Sequence, residues 1–252
     1  MKWLYWKIRG EISKLLFRLS LMRSQVSSSF ILKFFFLSLF KKETITARVW
    51  GRNIKVRPGT FDLYVAVSSV KDLRDFTGQF DFDEGFIIDA GGYIGTSAVE
   101  LATRYPRCTI VSIEPHSDNF RMLKENTKRY ANIVPIHAAL SGKRGTAPLM
   151  DRGTGLWGYT IRGEGRIVGT VPTITINDIL EQFGTDTINL FKIDIEGGET
   201  NLLKDTGWIK KTKVIMIELH GDEATRMFDE AVKGRTGAVS IKRNRVSIRQ
   251  PL

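Results

Sequence analysis

From residue 86 onward the chain alternates short apolar runs with amphipathic stretches, and this alternation most constrains what it can fold into. Phe86-Ile87-Ile88-Asp89 reads as a buried strand, followed by a glycine-rich turn and a helix over 96–104. Residues 109–114, 133–140, 188–194 and 214–219 read as further strands. Residues 118–130, 176–183 and 224–233 read as helices, and another starts at Glu199. Thr175 or Asn177 stands near the cap of the helix over 176–183. Such alternation predicts an α/β, Rossmann-like architecture: a mostly parallel sheet with helices on both faces. Residues 239–248 read as a hairpin around Arg243-Asn244 that adds antiparallel strands at one end. The Gly-rich, polar residues 142–170 read as a loop or hairpin.

The 252 residues suffice for one α/β domain with extensions. A single cysteine, Cys108, excludes an internal disulfide and any CxxC metal spacing, so a reducing, cytoplasmic setting is expected. The formal charge of +11 is uneven. Residues 1–42 hold nine Lys/Arg against one acid, Glu11, and carry +8 of it. The body is nearly balanced, which gives no strong signal for nucleic acid.

These features divide the chain into a basic, aromatic-rich helical extension, 1–43, and a domain over 44–252. The domain opens with a lead-in over 44–85: a hairpin over 45–56 turning at Gly51-Arg52-Asn53, a second turn at 57–60, and partial helix over 61–78. In the extension, Ile8, Ile12, Leu15, Leu16, Leu19 and Met22 recur at helical spacing. The apolar run over 30–40 is eleven residues long, short of the roughly 20 that a spanning helix needs. It also ends at Lys41-Lys42-Glu43 without the small-residue site of a signal peptide. Two readings remain for the extension: helices packed on the body or on a partner subunit, or an interfacial contact with anionic membrane through residues 1–42. The oligomeric state is not legible.

The chemistry gathers at strand ends, where open α/β sheets bind ligands. Asp89-Ala90-Gly91-Gly92-Tyr93-Ile94-Gly95 makes a sharp turn before a helix whose N-terminus faces whatever sits on the loop. Glu114 ends the next strand, where a carboxylate can accept from both ribose hydroxyls of an adenosine. The two together indicate a nucleotide-type cofactor. Gly91, Gly92 and Gly95 do not fit the dinucleotide spacing G-x-G-x-x-G. Asp89, Gly91, Gly92, Gly95 and Glu114 instead suit S-adenosylmethionine (SAM), which has no phosphate to cradle. Lys192-Ile193-Asp194-Ile195-Glu196-Gly197-Gly198-Glu199 sets three carboxylates past the fourth strand, and Glu218-Leu219-His220 ends the fifth. Asp194, Glu196 and His220 are the candidate bases. Glu199 and Glu218 are candidate substrate contacts, with helix capping the stronger reading for Glu199. The acids could hold a divalent cation, but no metal is expected. Trp157 and Tyr159 are candidates to shape the acceptor pocket.

These segments resemble the FkbM-type family of SAM-dependent methyltransferases over roughly residues 47–220. The resemblance rests on Val56-Arg57-Pro58-Gly59-Thr60-Phe61-Asp62, on Ile88–Gly95, on Ser112-Ile113-Glu114-Pro115, on Lys192–Glu199 (the most specific), and on Ile217–His220. It implies a class I methyltransferase fold and O-methylation, often of a sugar or polyketide hydroxyl. The acceptor would be a sugar, glycan, glycolipid or other small metabolite. The family loop usually reads Gly-Ala-Asn where this chain has Gly91-Gly92-Tyr93. Three other functions compete with this reading. A nucleic-acid methyltransferase would suit the basic extension, but the fourth strand lacks the Asp/Asn-Pro-Pro-aromatic motif. A nucleotide-dependent dehydrogenase conflicts with the glycine spacing. A non-catalytic SAM-binding or membrane-associated scaffold would keep the cofactor site without turnover.

Overall fold

A computed structural model describes residues 16–40, 44–234, 238–243 and 246–250. The expected helix before residue 16 and Asn244 of the expected turn lie outside them. The chain divides into two compact units, Met1–Arg74 and Asp75–Leu252.

In the first unit, helix α1 covers 16–23 and α2 covers Ser28–Ser38, capped by the Ser27 hydroxyl, which accepts from Phe30 N at 3.2 Å. Strands β1 (Ile45–Val49) and β2 (Arg52–Val56) pair antiparallel, with Val49 opposite Arg52. The turn is therefore Trp50-Gly51, not the expected Gly51-Arg52-Asn53. Both turn residues have positive φ, 51° and 78°, as a two-residue hairpin turn matched to strand twist requires. Trp50 holds that conformation because its indole N–H donates to Val67 O at 3.1 Å while Arg74 lies over its ring. The Arg57-Pro58-Gly59-Thr60-Phe61-Asp62 segment is a structural clasp. Arg57 meets the fully buried Asp62 carboxylate through two guanidinium nitrogens, at 2.8 and 3.0 Å, and through its backbone N–H at 2.9 Å. From that clasp α3 runs Asp62–Thr77, helical throughout rather than in part.

The second unit is built on a seven-stranded sheet. Its strands are β3 (Gly85–Ala90), β4 (Cys108–Ile113), β5 (Ile133–Ile136), β10 (Ile188–Ile193), β11 (Thr212–Leu219), β12 (Ala238–Arg243) and β13 (Val246–Gln250). They lie in the order β13-β12-β11-β10-β3-β4-β5, all parallel except β13. The terminal hairpin thus contributes one parallel and one antiparallel strand. Around the sheet run α4 (Thr96–Arg104), α5 (Ser117–Thr127), α6 (Ile176–Gln182), α7 (Glu199–Leu202), α8 (Gly207–Lys211) and α9 (Asp222–Ala231). The short α8 had no clear sequence signal. Every residue of β10 is buried, as expected of a strand covered on both faces. Helix α6 starts at a reciprocal capping box between Thr175 and Asp178.

Two expectations need correction. Residues 133–140 are not one strand: β5 stops at Ile136, and β6 (Ala139–Leu140) joins a second sheet. His137, between them, stacks on Phe120 at 4.6 Å. Residues 142–170, read as a loop or hairpin, do pair antiparallel but form more than a hairpin. They hold β7 (Gly145–Asp151), β8 (Tyr159–Thr160) and most of β9 (Arg166–Ile174), in a four-stranded sheet ordered β6-β9-β7-β8. The β-formers of β9 and the Tyr-Thr of β8 are the local signal, interrupted by the glycines and prolines between them.

The sheet order sets the ligand position. From β3 the chain builds outward through β4 and β5, then returns to the other side of β3 with β10. The switch point lies between β3 and β10, and the crevice opens at their carboxyl ends.

Candidate active site

One side of the crevice is the loop after β3. Its first N–H groups turn inward: Gly91 N and Gly92 N both donate to Ile113 O, at 3.1 and 2.9 Å, and Gly95 N donates to Gly92 O at 2.7 Å. The N–H groups of Gly91, Gly92 and Gly95 are thus spent within the protein rather than offered to a pyrophosphate. The glycines serve close packing. A Cβ on Gly91 would lie 1.8 Å from Asp194 O, and one on Gly92 2.3 Å from Ser112 Oγ. Gly91→Ala is therefore expected to cost about 3 kcal/mol or more, from backbone overlap and a positive φ, and to abolish cofactor binding. Thermal melting and titration with S-adenosylhomocysteine check it. Tyr93 adopts φ +48°, a conformation that Asn visits more readily than Tyr. Its N–H donates to Glu114 Oε2 at 2.9 Å, and its side chain is buried.

Glu114, just past β4, also accepts from His116 N at 2.9 Å and Asn119 Nδ2 at 3.3 Å. Its carboxylate is thus fixed against the loop. Asp89 is fully buried beneath it. The Ser97 and Ser112 hydroxyls donate to Asp89 Oδ2 at 2.8 and 2.9 Å, and Lys192 Nζ stands 3.0 Å from Oδ1. The register explains the cluster, because Lys192, Asp89 and Ser112 occupy one row across β10, β3 and β4. Lys192 also donates to the loop carbonyls of Ala90 and Gly91, at 3.5 and 3.3 Å. Burial opposes its charge, but the Asp89 and Asp194 carboxylates outweigh burial and hold the ammonium above its ordinary pKa. Lys192 is a functional residue that the sequence reading leaves without a role; its signal is a lysine in a strand that is buried throughout.

The other side follows β10. Asp194 N donates to Ala90 O at 3.1 Å, which ties the two strand ends together. Glu196 and Gly197 both have positive φ, 54° and 98°, so the chain doubles back before α7. This turn brings Asp194, Glu196 and Glu199 towards His220, and Glu218 approaches it from β11. Glu199, fully buried, accepts from His220 Nδ1 at 3.1 Å and from Ile195 N at 3.3 Å. Glu196 Oε2 lies 3.6 Å from His220 Nε2, and Glu218 Oε1 lies 4.0 Å from it. Asp194, Glu196 and His220 can bring ligand atoms within 4.8 Å of one another, close enough for one cation. Asp194 Oδ1 is buried and has no hydrogen-bond partner among the described residues.

The charges here are displaced in one direction. Burial, then the Asp194 carboxylate, pushes Glu196 up to about 8, against the pull of His220 and Arg152. Burial would lower His220, but its bond to Glu199 and the nearby carboxylates raise it to about 9. The shift favours the protonated imidazole, held between the Glu199 and Glu196 carboxylates.

Arg152, which sequence reasoning missed, follows β7 and donates to Glu196 Oε2 at 3.2 Å and to Glu196 O at 3.3 Å. Nothing in a Gly-rich stretch 44 residues away marks it. Beyond it, Asn119 Nδ2 donates to Leu156 O at 2.7 Å, and Arg162 pairs with Glu223 of α9 at 2.9 Å. The residues after β7 thus link Glu196, α5 and α9. Tyr159 is stacked on His116 at 3.8 Å, while Trp157 stays 38% exposed.

The sequence profile of the family described as the methyltransferase FkbM domain matches residues 89–233, over half of the chain. The chain belongs to the FkbM methyltransferase family. The match begins at Asp89 and takes in the loop, Glu114, the Lys192–Glu199 motif and His220. FkbM methyltransferases are SAM-dependent, so SAM is the cofactor here. The residues present fit it. An acid-rich crevice with inward-turned loop amides suits a sulfonium-bearing cation better than a pyrophosphate, and Asp194 Oδ1 is an acceptor in need of a donor. Among relatives, the chain is 25% identical over 186 residues to the hexuronic acid methyltransferase AglP of Haloferax volcanii, covering 66% of this chain and 74% of that protein. It is 25% identical over 171 residues to Methyltransferase 1 of Beauveria bassiana, covering 57% and 69%. Similar solved structures include the N-terminal domain of human METTL16 with SAH (TM-score 0.44, 12% identity, 79% of this chain and 74% of that one). Another is M. jannaschii TYW2 with AdoMet (TM-score 0.38, 11% identity, 79% of this chain). The chain spans 63% of that second structure. The chain's own seven-stranded, mostly parallel sheet with helices around it gives the α/β fold expected from the sequence.

Proposed function

We propose that this FkbM methyltransferase methylates a hydroxyl oxygen, that of a sugar, a glycan or another small metabolite, with Glu196 as the base. The observation that carries this reading is the raised carboxyl of Glu196, beside the cofactor crevice and between Arg152 and His220. Bound SAM supplies an electrophilic methyl group on sulfur; the chain supplies position and proton transfer. Glu114 and the loop over Asp89–Gly95 hold the cofactor, Glu114 towards its ribose. Asp89 and Lys192 act from below by fixing the loop. Glu196 takes the hydroxyl proton, and its pKa near neutrality suits that exchange. Glu199 orients His220 through Nδ1, which leaves Nε2 for Glu196 and the acceptor. Glu218 flanks the acceptor side. The similarity to a hexuronic acid methyltransferase favours a sugar, and exposed Trp157 offers a ring face for stacking on one.

Calorimetric titration separates the two halves of the site. Glu114→Gln is expected to weaken SAM binding about 10-fold or more, as for loss of a charged hydrogen bond, while Glu196→Gln leaves it unchanged. Incubating the protein and labelled SAM with glycan, lipid and RNA extracts tests the acceptor class. Label in a sugar methyl ether is the expected result. Label confined to RNA, or none with SAM bound, would replace the proposal with a nucleic-acid enzyme or a scaffold.

A further inference from the structure

We infer that the first unit docks the protein on an anionic lipid bilayer through the outer face of α2 and the groove between α1 and α2. Helix α2 buries Ile31 and Phe34 but leaves Leu32, Phe35, Phe36, Leu39 and Phe40 exposed, at 45% to 75%. At 100° per residue Leu32, Phe35 and Phe36 share one face of α2; just past its end Leu39 keeps helical φ and ψ, and the Phe40 ring packs on Phe36 at 5.0 Å, so the apolar stripe continues. Leu16 and Phe17 on α1 are exposed as well. Contiguous apolar side chains of this size on a surface mark an interaction site rather than ordinary surface.

Charge chooses the occupant. Residues 1–42 carry nine cations against one acid, and Lys41-Lys42 follow Phe40 directly. Exposed Lys33 borders the stripe. A groove of about 420 Å³ lies beside it, lined by Leu19, Ile31, Leu32 and Phe35, with Arg23 and Ser28 as its polar members. An apolar floor with a guanidinium at its side matches an acyl chain below an anionic headgroup. Arg18 is engaged elsewhere, over the rings of Phe61 and Tyr64. No described helix is long and apolar enough to cross a membrane, so the contact lies in the interfacial plane.

The test is flotation of the full-length protein with phosphatidylcholine vesicles, with and without phosphatidylglycerol. It uses neither acceptor nor SAM, so its outcome is independent of the proposed methyl transfer. The wild type is expected to float with phosphatidylglycerol vesicles and not with phosphatidylcholine alone. Phe36→Ser with Leu39→Ser should lower the bound fraction about tenfold or more, since two exposed apolar anchors are lost. Arg23→Glu with Lys33→Glu should remove the preference for phosphatidylglycerol. Unchanged melting and S-adenosylhomocysteine binding confirm that the variants fold. No flotation of the wild type, or equal flotation of the serine variant, overturns the inference. So does a wild-type dimer in lipid-free solution that the serine variant makes monomeric, because that assigns the face to a second copy.

Discussion

Glu196→Gln is expected to cut kcat by about 10²–10⁴-fold, the usual contribution of a positioned general base, while SAM affinity holds. The amide keeps the size of the side chain and can still meet Arg152; what is lost is proton acceptance and the negative charge beside Arg152 and His220. The pH profile carries the sign. The Glu196 carboxyl is raised to about 8, so kcat/KM of the wild type should climb as pH rises towards 8 and Glu196 ionises. In Glu196→Gln that limb should vanish. His220 works the other way. Its pKa is raised to about 9, so below 6.5 its protonated form contributes stability in full, and that contribution fades as pH rises through 9. Asp194 and His220 were the other candidate bases. His220, raised to about 9 and bonded to Glu199, gives up its proton at higher pH than Glu196, raised to about 8. Glu196 is therefore the acceptor that opens first as pH rises, and His220 keeps the role of charge and orientation. Normal turnover in Glu196→Gln would remove Glu196 from the chemistry.

Lys192→Met should be the most destabilising single substitution in the crevice. It keeps the length of the side chain but strands the Asp89 carboxylate, fully buried, with two hydroxyls in place of a cation. Breaking a buried ion pair from one side costs about 3–5 kcal/mol. For a domain of this size that lowers Tm by about 10 °C. The loop carbonyls of Ala90 and Gly91 also lose their donor, so SAM affinity should fall with stability. Adding Asp89→Asn should restore much of the lost stability, because no uncompensated charge remains. If the double variant is less stable than Lys192→Met alone, the pair is not the source of the effect.

Much of the site was legible because its parts are local. The glycine spacing at Gly91, Gly92 and Gly95 excluded a dinucleotide loop, and the bonds of Gly91 N and Gly92 N to Ile113 O give the physical reason. The Lys192–Glu199 motif marked the acids, and Gly197 marked an unusual turn. What was not legible is contact between distant segments. Arg152 meets Glu196 only because β7, β8 and β9 form a sheet that composition concealed. Asp89 looked like a cofactor ligand, yet its oxygens face Ser97, Ser112 and Lys192. Glu199 looked like a cap or a substrate contact, yet it grips His220.

By itself, the sequence determined the α/β alternation, the loop over Asp89–Gly95, the acids at the strand ends and the basic extension. Each follows from spacing within one element or one turn, where side-chain periodicity and backbone sterics act. Only the tertiary structure decided which carboxylates stay inside as anchors and which face the crevice. Sheet order and register set Lys192 beside Asp89 and carried Arg152 to Glu196, and burial among like charges, which no local spacing encodes, raised Glu196 towards neutrality.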